Sequence, residues 1–214
     1  CFAMSFTKHE QFYKLCLEAQ NCRKCPDLTE RTAVLSELNG NLRPKVFFLA
    51  EAPGRQGGNR TRQPFSGDKS GANFQILLDS IGLKREEIFI TNSALCNPHT
   101  ATGANRKPTK TEIKNCSDFL RKTIEIVNPK IIVTLGAVAL EALKMIEYHQ
   151  FTLKLEAAKI LVWNARILLP LYHPSPQVIA SHRRMREQLA DFKILAGAIE
   201  KVSSVGNEQR EVLC

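Results

Sequence analysis

Residues 46–71 hold the densest group of side chains with chemical potential. The run of five apolar or small residues from Val46 to Ala50 predicts a buried strand. The glycine-rich loop after it carries two carboxylates, Glu51 and Asp68, and one aromatic ring, Phe65. α/β proteins place binding loops directly after core strands, where glycine lets backbone N–H groups approach a ligand. We therefore predict a functional loop here, against the simpler interpretation of a surface segment made of turn residues.

Two further polar groups lie where predicted strands end. Asn92 is near the end of a strand predicted over residues 86–95, and His173 follows one or two strands predicted within residues 160–171. A strand-end asparagine is often a turn residue, and a lone histidine is usually structural. The carboxyl ends of parallel strands share one edge of a sheet. We therefore expect both side chains to lie near the loop that carries Asp68.

The cysteines indicate bound metal rather than disulfides. Their number, seven, is odd, and no export signal precedes them, which favours a reducing compartment. Cys22 and Cys25 are separated by two residues, whereas Cys96 and Cys116 lie far along the chain. Spacing alone leaves three possibilities open: an iron–sulfur cluster, a zinc ion or buried unligated thiols. Cys16 lies on the apolar face of a predicted helix, so we interpret it as core packing.

Strands and helices alternate along the chain. This pattern predicts a three-layer α/β/α sandwich with a central, mostly parallel sheet of four or five strands. We expect one domain over residues 4–202 and a flexible tail over 203–214. The predicted strands cover residues 45–50, 86–95 and 130–136, with one or two more in 160–171. The predicted helices cover residues 6–20, 70–82, 137–147 and 184–202, and one more starts at the capping box formed by residues 109–112.

Composition favours a polyanionic partner and excludes a membrane span. The formal net charge is +9, and no run of 18 apolar residues occurs. The N-terminus has no basic segment followed by an apolar one, so we expect a cytoplasmic protein. Basic residues gather in three predicted loop regions: Arg55, Arg60, Arg62 and Lys69; Arg106, Lys107 and Lys110; and His182, Arg183, Arg184 and Arg186. Such clusters suit a phosphate backbone, although a merely basic protein is the alternative.

Four motifs, and the order in which they follow one another along residues 22–195, resemble the iron–sulfur branch of the uracil-DNA glycosylase superfamily. Glu51-Ala52-Pro53-Gly54 and Thr91-Asn92 are similar to its family 4. Residues 58–71 are more similar to family 5, and His173-Pro174-Ser175 is similar to both. The resemblance implies a [4Fe–4S] cluster, because four cysteines match the cluster ligands of these families: Cys22, Cys25, Cys96 and Cys116.

The resemblance also implies an activity. The reaction is hydrolysis of the N-glycosidic bond of uracil in double- or single-stranded DNA, which leaves an abasic site. No lysine nucleophile is evident, so we expect a monofunctional glycosylase without strand cleavage, acting as a monomer. The mixed motifs extend the expected substrates to hypoxanthine, xanthine and ethenocytosine. The alternative is a catalytically inactive iron–sulfur module that binds DNA with the same scaffold.

Roles for individual residues follow from the resemblance. Phe65 would stack on the flipped base, Asn92 would hydrogen bond its edge, and His173 would stabilise the uracil anion. For the attacking water, Asp68 is the favoured activator and Glu51 the alternative. Residues that surround the base would be Ala50, Glu51, Ala52 and Gly54, with backbone N–H groups near the last two.

The segment after the histidine motif resembles a DNA-binding loop. Residues 177–186 would enter the DNA gap and contact phosphates, and the DNA-binding residues would be Ser175, Gln177, Arg183 and Arg184. Val178 or Ile179 would be the wedge, or alternatively the pair would only begin a hydrophobic helix.

Overall fold

A five-stranded sheet forms the centre of the protein in a computed structural model, which describes residues 6–28 and 30–211. The strands are β1 (Val46–Ala50), β2 (Ile88–Asn92), β3 (Ile131–Leu135), β4 (Leu161–Trp163) and β5 (Arg166–Leu171). Their order is β2-β1-β3-β5-β4, and every neighbouring pair is parallel except β4 with β5. The predicted mostly parallel sheet is therefore confirmed.

Helices cover both faces of the sheet. They are α1 (Lys8–Gln20), α2 (Gly58–Thr61), α3 (Lys69–Asp79), α4 (Lys110–Val127), α5 (Ala137–Leu143), α6 (Leu153–Glu156), α7 (Pro176–Ser181) and α8 (Met185–Glu211). α1, α4 and α5 bury apolar residues in a core on one face, and α3 and α8 do so on the other. This arrangement confirms the predicted sandwich. None of the helices within residues 6–28 and 30–211 is both long and apolar enough to cross a membrane.

Local signals in the sequence explain where the main helices begin. Thr7 and Thr109 each form a capping box, at the start of α1 and α4. The predicted apolar face of α4 is buried throughout, at Ile113, Cys116, Leu120, Ile124 and Val127. Cys16 is also buried, at 5% exposure, so its interpretation as core packing is confirmed.

Several predicted elements have different ends in the structure, among them α3, which stops at Asp79 instead of residue 82, and α5, which stops at Leu143 instead of residue 147. β2 stops at Asn92 instead of residue 95, where its register partner Ala50 is the last residue of β1, and the next two N–H groups, of Ser93 and Ala94, donate to the carbonyls of Ala50 and Glu51. The last helix continues to Glu211, past its predicted end at residue 202. Residues 203–211, predicted as a flexible tail, are helical, since they contain no proline to stop the helix. Residues 212–214 of that tail lie outside the described part of the chain.

Residues 160–171 form two strands. Asn164 and Ala165 connect them in a tight turn with positive φ angles of 47° and 55°. Two consecutive left-handed residues are typical of a two-residue hairpin turn. β4 therefore pairs antiparallel to β5 at the edge of the sheet.

The order in which the chain adds strands to the sheet reverses at β1. The chain places β2 on one side of β1 and β3 on the other, which creates a crevice at the carboxyl ends of the strands. Ala50 and Asn92 are register partners at this edge. The loops that follow β1, β2 and β5 therefore meet there.

Candidate active site

A pocket of about 380 Å³ opens at the carboxyl ends of the strands. We refer to it as the strand-end pocket. Its volume is within the range of small-molecule sites. Every residue predicted to bind the base or act in catalysis contributes to its wall: Ala50, Glu51, Ala52, Gly54, Phe65, Asp68, Asn92 and His173. The structure thus brings together residues that are up to 123 positions apart (50 to 173) in the sequence.

Asn92 presents an unused donor at the pocket. Its side chain is only 4% exposed, and its Nδ2 has no hydrogen-bond acceptor within residues 6–28 and 30–211. A buried amide without a partner costs on the order of 1–3 kcal/mol. The atom is therefore available to a ligand that presents an oxygen acceptor.

Phe65 forms an aromatic wall of the pocket. Its ring stacks on Phe74, with ring centroids 4.5 Å apart, and lies 5.4 Å from the ring of His173. The backbone of Phe65 is left-handed, with φ at 51°. A Cβ at Gly71 would lie 2.6 Å from the Phe65 carbonyl oxygen, so this close approach requires glycine. The ring is consequently held between the core and the pocket.

His173 is a neutral imidazole at physiological pH. Burial lowers its pKa to about 4, and the nearby Asp68 carboxylate opposes that shift only in part. A neutral imidazole donates one N–H and carries no charge. It can therefore stabilise a developing anion by hydrogen bonding.

The two oxygens of the Asp68 carboxylate have different surroundings. Oδ1 accepts a hydrogen bond from the Gly71 N–H at 2.8 Å and so caps α3. Oδ2 points toward Gly54 and Gly57, whose ideal Cβ positions would lie 3.4 Å and 2.1 Å from it. The first contact fixes the side chain, and the second oxygen faces the pocket.

Glu51 places a second carboxyl group in the same wall. Burial raises its pKa, and the positive charge of Lys107 opposes the change. Both predicted candidates for activating a water are therefore present in the pocket.

An asparagine pair in the loop after β2 was missed by the sequence analysis. Asn97 is fully buried, and its Nδ2 donates to the Pro53 carbonyl at 2.8 Å and to Asn105 Oδ1 at 3.0 Å. Asn105 Oδ1 also accepts the Arg55 N–H, at 2.9 Å. These contacts leave Asn97 Oδ1 without a donor among the residues described. The sequence offered one signal for Asn97, namely that it directly follows the predicted ligand Cys96. The composition of the segment is otherwise that of an ordinary loop.

An ion pair connects the strand-end pocket to α4. Arg106 lines the pocket and forms two hydrogen bonds with the carboxylate of Glu112, at 2.6 Å and 2.8 Å. Glu112 is 6% exposed and also lines the neighbouring cavity that contains the cysteines. This bidentate pair fixes the pocket loop against the start of the helix.

The four predicted cluster ligands surround one cavity. Cys22, Cys25, Cys96 and Cys116 all line it, and we refer to it as the cysteine cavity. Burial raises the pKa of Cys116 to about 12 and the pKa of Cys96 to about 11. At Cys96, the neighbouring thiols Cys25 and Cys22 raise the pKa further, and the positive charge of Arg62 lowers it.

Four cysteines line the cysteine cavity, which is the number of thiolates that ligate a [4Fe–4S] cluster. Four thiolates on one zinc ion would lie about 4 Å apart, given zinc–sulfur bonds of about 2.3 Å. In the described residues, no group of three or more Cys, His, Asp or Glu side chains is close enough to hold a single metal ion.

The predicted DNA-binding residues fall into two groups. Ser175 caps α7, and Gln177 lies beside it at the rim of the strand-end pocket. Arg184 is exposed. Arg183 instead holds the buried carboxylate of Asp191 through two hydrogen bonds, at 3.0 Å and 2.5 Å. The structure thus directs Arg183 into the protein, and it places Val178 at the pocket within a helix.

Comparison with known proteins agrees with this site. A family model described as the Uracil DNA glycosylase superfamily matches residues 39–193. The protein therefore belongs to the uracil-DNA glycosylase superfamily, which confirms the resemblance found in the motifs.

Relatives of two types match most of the chain. A type-4 uracil-DNA glycosylase of Archaeoglobus fulgidus is 31% identical over 182 residues, which cover 82% of this chain and 87% of the relative. A type-4 enzyme of Sulfurisphaera tokodaii is 34% identical, with coverages of 82% and 79%. A type-5 uracil-DNA glycosylase of Pyrobaculum aerophilum is 29% identical, with coverages of 83% and 88%. Both types were expected from the mixed motifs.

Proposed function

We propose that the protein is a monofunctional uracil-DNA glycosylase, which hydrolyses the N-glycosidic bond of uracil in DNA and leaves an abasic site. One observation carries the proposal: the unpaired Asn92 amide, the Phe65 ring, the neutral His173 and the free Asp68 oxygen converge on one pocket. The type-4 and type-5 relatives support the choice of uracil.

Recognition of the base rests on Asn92 and Phe65. A flipped uracil stacks on the Phe65 ring. Asn92 Nδ2 donates to uracil O4, and Oδ1 of the same amide accepts from N3–H. Cytosine presents a donor at position 4 and an acceptor at position 3, so it would leave both amide atoms unpaired in a buried site.

Departure of the base rests on His173. Uracil leaves as an anion, with negative charge on O2, and a neutral imidazole N–H stabilises that charge in a water-poor pocket. The backbone near Ala52 and Gly54 faces the same pocket and can supply further N–H donors.

Activation of water rests on Asp68. Its Oδ2 accepts a proton from the attacking water while Oδ1 remains bonded to the Gly71 N–H. Burial raises the pKa of the Glu51 carboxyl group, which disfavours the carboxylate that a water activator needs. We therefore assign the water to Asp68 and keep Glu51 as the alternative that the experiment tests.

The cysteine cavity would hold a [4Fe–4S] cluster through Cys22, Cys25, Cys96 and Cys116. The cluster would supply a structural cross-link between the segment after α1, the loop after β2 and α4. The four cysteines would thereby hold these segments in place near the strand-end pocket. No step of the reaction depends on the cluster.

A substrate panel tests the function. Single- and double-stranded oligonucleotides each carry one uracil, hypoxanthine, xanthine or ethenocytosine, and they are treated with alkali after incubation. We expect abasic sites at uracil and no strand cleavage before alkali. Asp68→Asn should lower the single-turnover rate about 10²- to 10⁴-fold while DNA binding survives.

Two outcomes would change the assignment. If stoichiometric wild-type protein makes no abasic site but still binds DNA, the protein is the inactive iron–sulfur module. If Asp68→Asn is fully active and Glu51→Gln is inactive, Glu51 is the water activator.

A further inference from the structure

Arg62 connects the loop of the strand-end pocket to the wall of the cysteine cavity. It lies at the end of α2, three positions before Phe65 and six before Asp68. Its Nη2 donates to the carbonyl oxygens of Thr32 and Ala33, at 3.0 Å and 2.5 Å. The guanidinium therefore reaches across to a distant segment of the chain.

That distant segment is part of the cysteine cavity. Ala33 is 3% exposed and lines the cavity together with the four cysteines. The next residue, Val34, donates its N–H to the Leu95 carbonyl at 2.7 Å, directly beside Cys96. The acceptors of Arg62 are thus fixed by the same structure that presents the Cys96 sulfur.

Arg62 has a backbone conformation that favours glycine over arginine. Its φ is 61°, a left-handed conformation that costs a non-glycine residue roughly 1–2 kcal/mol. Glycine would adopt this conformation without strain. The arginine remains compatible with the fold because its side chain makes charge-assisted hydrogen bonds that offset the strain.

The charge of Arg62 also suits its surroundings. Four thiolates around a [4Fe–4S] core with two positive charges have a net charge of about −2. Arginine stays protonated in proteins. A guanidinium against the cavity wall therefore stabilises the loaded state more than the empty one.

We propose that Arg62 is a positioning residue that couples cluster binding in the cysteine cavity to the placement of Phe65 and Asp68. The inference rests on the proposed function. With the cluster bound, residues 32–34 offer two fixed acceptors, and Arg62 holds the loop against them. Without it, these acceptors lose their anchor and the loop loosens.

The test compares anaerobically prepared wild-type protein with Arg62→Gly, Arg62→Lys and Arg60→Ala. Arg62→Gly removes the guanidinium and also relieves the backbone strain, so it should fold. Arg60→Ala is the matched control, because among the residues described Arg60 donates only to the nearby carbonyls of Gln56 and Gly67. The readouts are the loss of absorbance near 400 nm under a chelator and amide hydrogen exchange of residues 63–68.

We expect Arg62→Gly to lose the cluster roughly tenfold faster than wild type and to exchange faster in residues 63–68. Arg62→Lys should be intermediate, because it keeps the charge and loses the forked geometry. Arg60→Ala should retain the cluster as wild type does. In wild type, removal of the cluster should raise exchange in the same residues.

Two results would overturn the inference: equal cluster loss in Arg62→Gly and Arg60→Ala, or wild-type protein without the absorbance. Uracil excision by the same samples separates the two proposals. Coupling without excision would contradict the proposed function alone, whereas excision by wild type without coupling would contradict only the role of Arg62.

Discussion

At Asp68, one carboxylate serves both the fold and the site. Oδ1 caps α3 through the Gly71 N–H, and Oδ2 faces the strand-end pocket. A side chain fixed by one oxygen cannot rotate freely to find a water with the other. The cap thereby reduces the entropy that the catalytic group would otherwise lose in the transition state.

These two roles can be separated by substitution. Asp68→Ser keeps a helix-capping oxygen and lacks a carboxylate, whereas Asp68→Ala loses both. We expect both variants to lose about 10²- to 10⁴-fold in single-turnover uracil excision. Only Asp68→Ala should also lose about 1 kcal/mol in the free energy of unfolding, measured with urea. A fully active Asp68→Ser would contradict the assignment of the water.

His173 makes stability depend on pH. Its pKa is lowered to about 4 in the folded protein, mainly by burial, while the unfolded chain keeps an ordinary histidine. Below about pH 6.5 the unfolded state therefore binds the proton first, and stability falls as pH decreases toward 4. The expected slope from this residue is at most about 1.4 kcal/mol per pH unit, with the full contribution present above pH 6.5.

His173→Asn provides the comparison for this slope. The variant should show a shallower decrease in unfolding free energy between pH 6.5 and pH 4, measured by urea titration at each pH. Other groups that titrate in this range, such as Glu51, remain in both proteins and cancel in the difference. Identical slopes in the two proteins would show that His173 is not held neutral by the fold.

At the scale of elements, the pocket loop depends on close packing between α2 and the start of α3. Gly57 immediately precedes α2 and lies against the Asp68 side chain. A Cβ there would be 2.1 Å from Oδ2 and 2.7 Å from Cγ. The loop can therefore place the carboxylate only if residue 57 has no side chain.

Gly57→Ala should move the Asp68 carboxylate and lower kcat by at least about tenfold, with a smaller change in KM. Gly58→Ala is the matched control, since its Cβ would meet its neighbours at 3.4 Å or more, an ordinary contact. Steady-state uracil excision by both variants measures the difference. Equal loss in the two would indicate general damage to α2 instead of a displaced carboxylate.

Elements with local signals were predictable from the sequence. The capping box at Thr109 and the apolar stripe of α4 depend only on neighbours within a few turns, and both are confirmed. The end of β2 was not predictable, because it coincides with the end of its partner β1, a segment more than 40 residues earlier, at the register pair Ala50 and Asn92. Continuation of α8 to Glu211 was also missed, because polar composition resembles a frayed end.

The part of the candidate site that lies at strand ends was predictable from the sequence. Asn92 ends β2 and His173 follows β5, so the sheet brings both residues together with Asp68. Asn97 could not be assigned in this way, because its importance comes from bonds to Pro53 and Asn105 in other parts of the loops. Likewise, the ion pair of Arg183 with Asp191 was not predictable from the basic cluster alone, and the DNA contact predicted for Arg183 stays a prediction.

At the scale of the whole molecule, the net charge of +9 does not act uniformly on DNA. Arg183 is neutralised by the buried Asp191 carboxylate, whereas its neighbour Arg184 is exposed. Binding to DNA weakens with salt in proportion to the number of phosphates that are neutralised. Two adjacent arginines should therefore differ in what they contribute.

Arg184→Ala should reduce the slope of log Kd against log salt by about 1, measured by fluorescence anisotropy with an abasic or uracil-containing duplex. Arg183→Ala should leave that slope near the wild-type value. It should instead lower the free energy of unfolding by about 2–3 kcal/mol, because Asp191 would be buried without its partner. A lower salt slope in Arg183→Ala together with an unchanged slope in Arg184→Ala would show that Arg183, and not Arg184, contacts a phosphate.

The order of residues around the two sites has a consequence for biosynthesis. All four cysteines of the cysteine cavity lie within the first 116 residues, whereas His173 comes from the last fifth of the chain. On the ribosome, the thiols emerge before β5 and the histidine motif exist. Chain order therefore allows the four thiols to come together on a nascent polypeptide that still lacks its strand-end pocket.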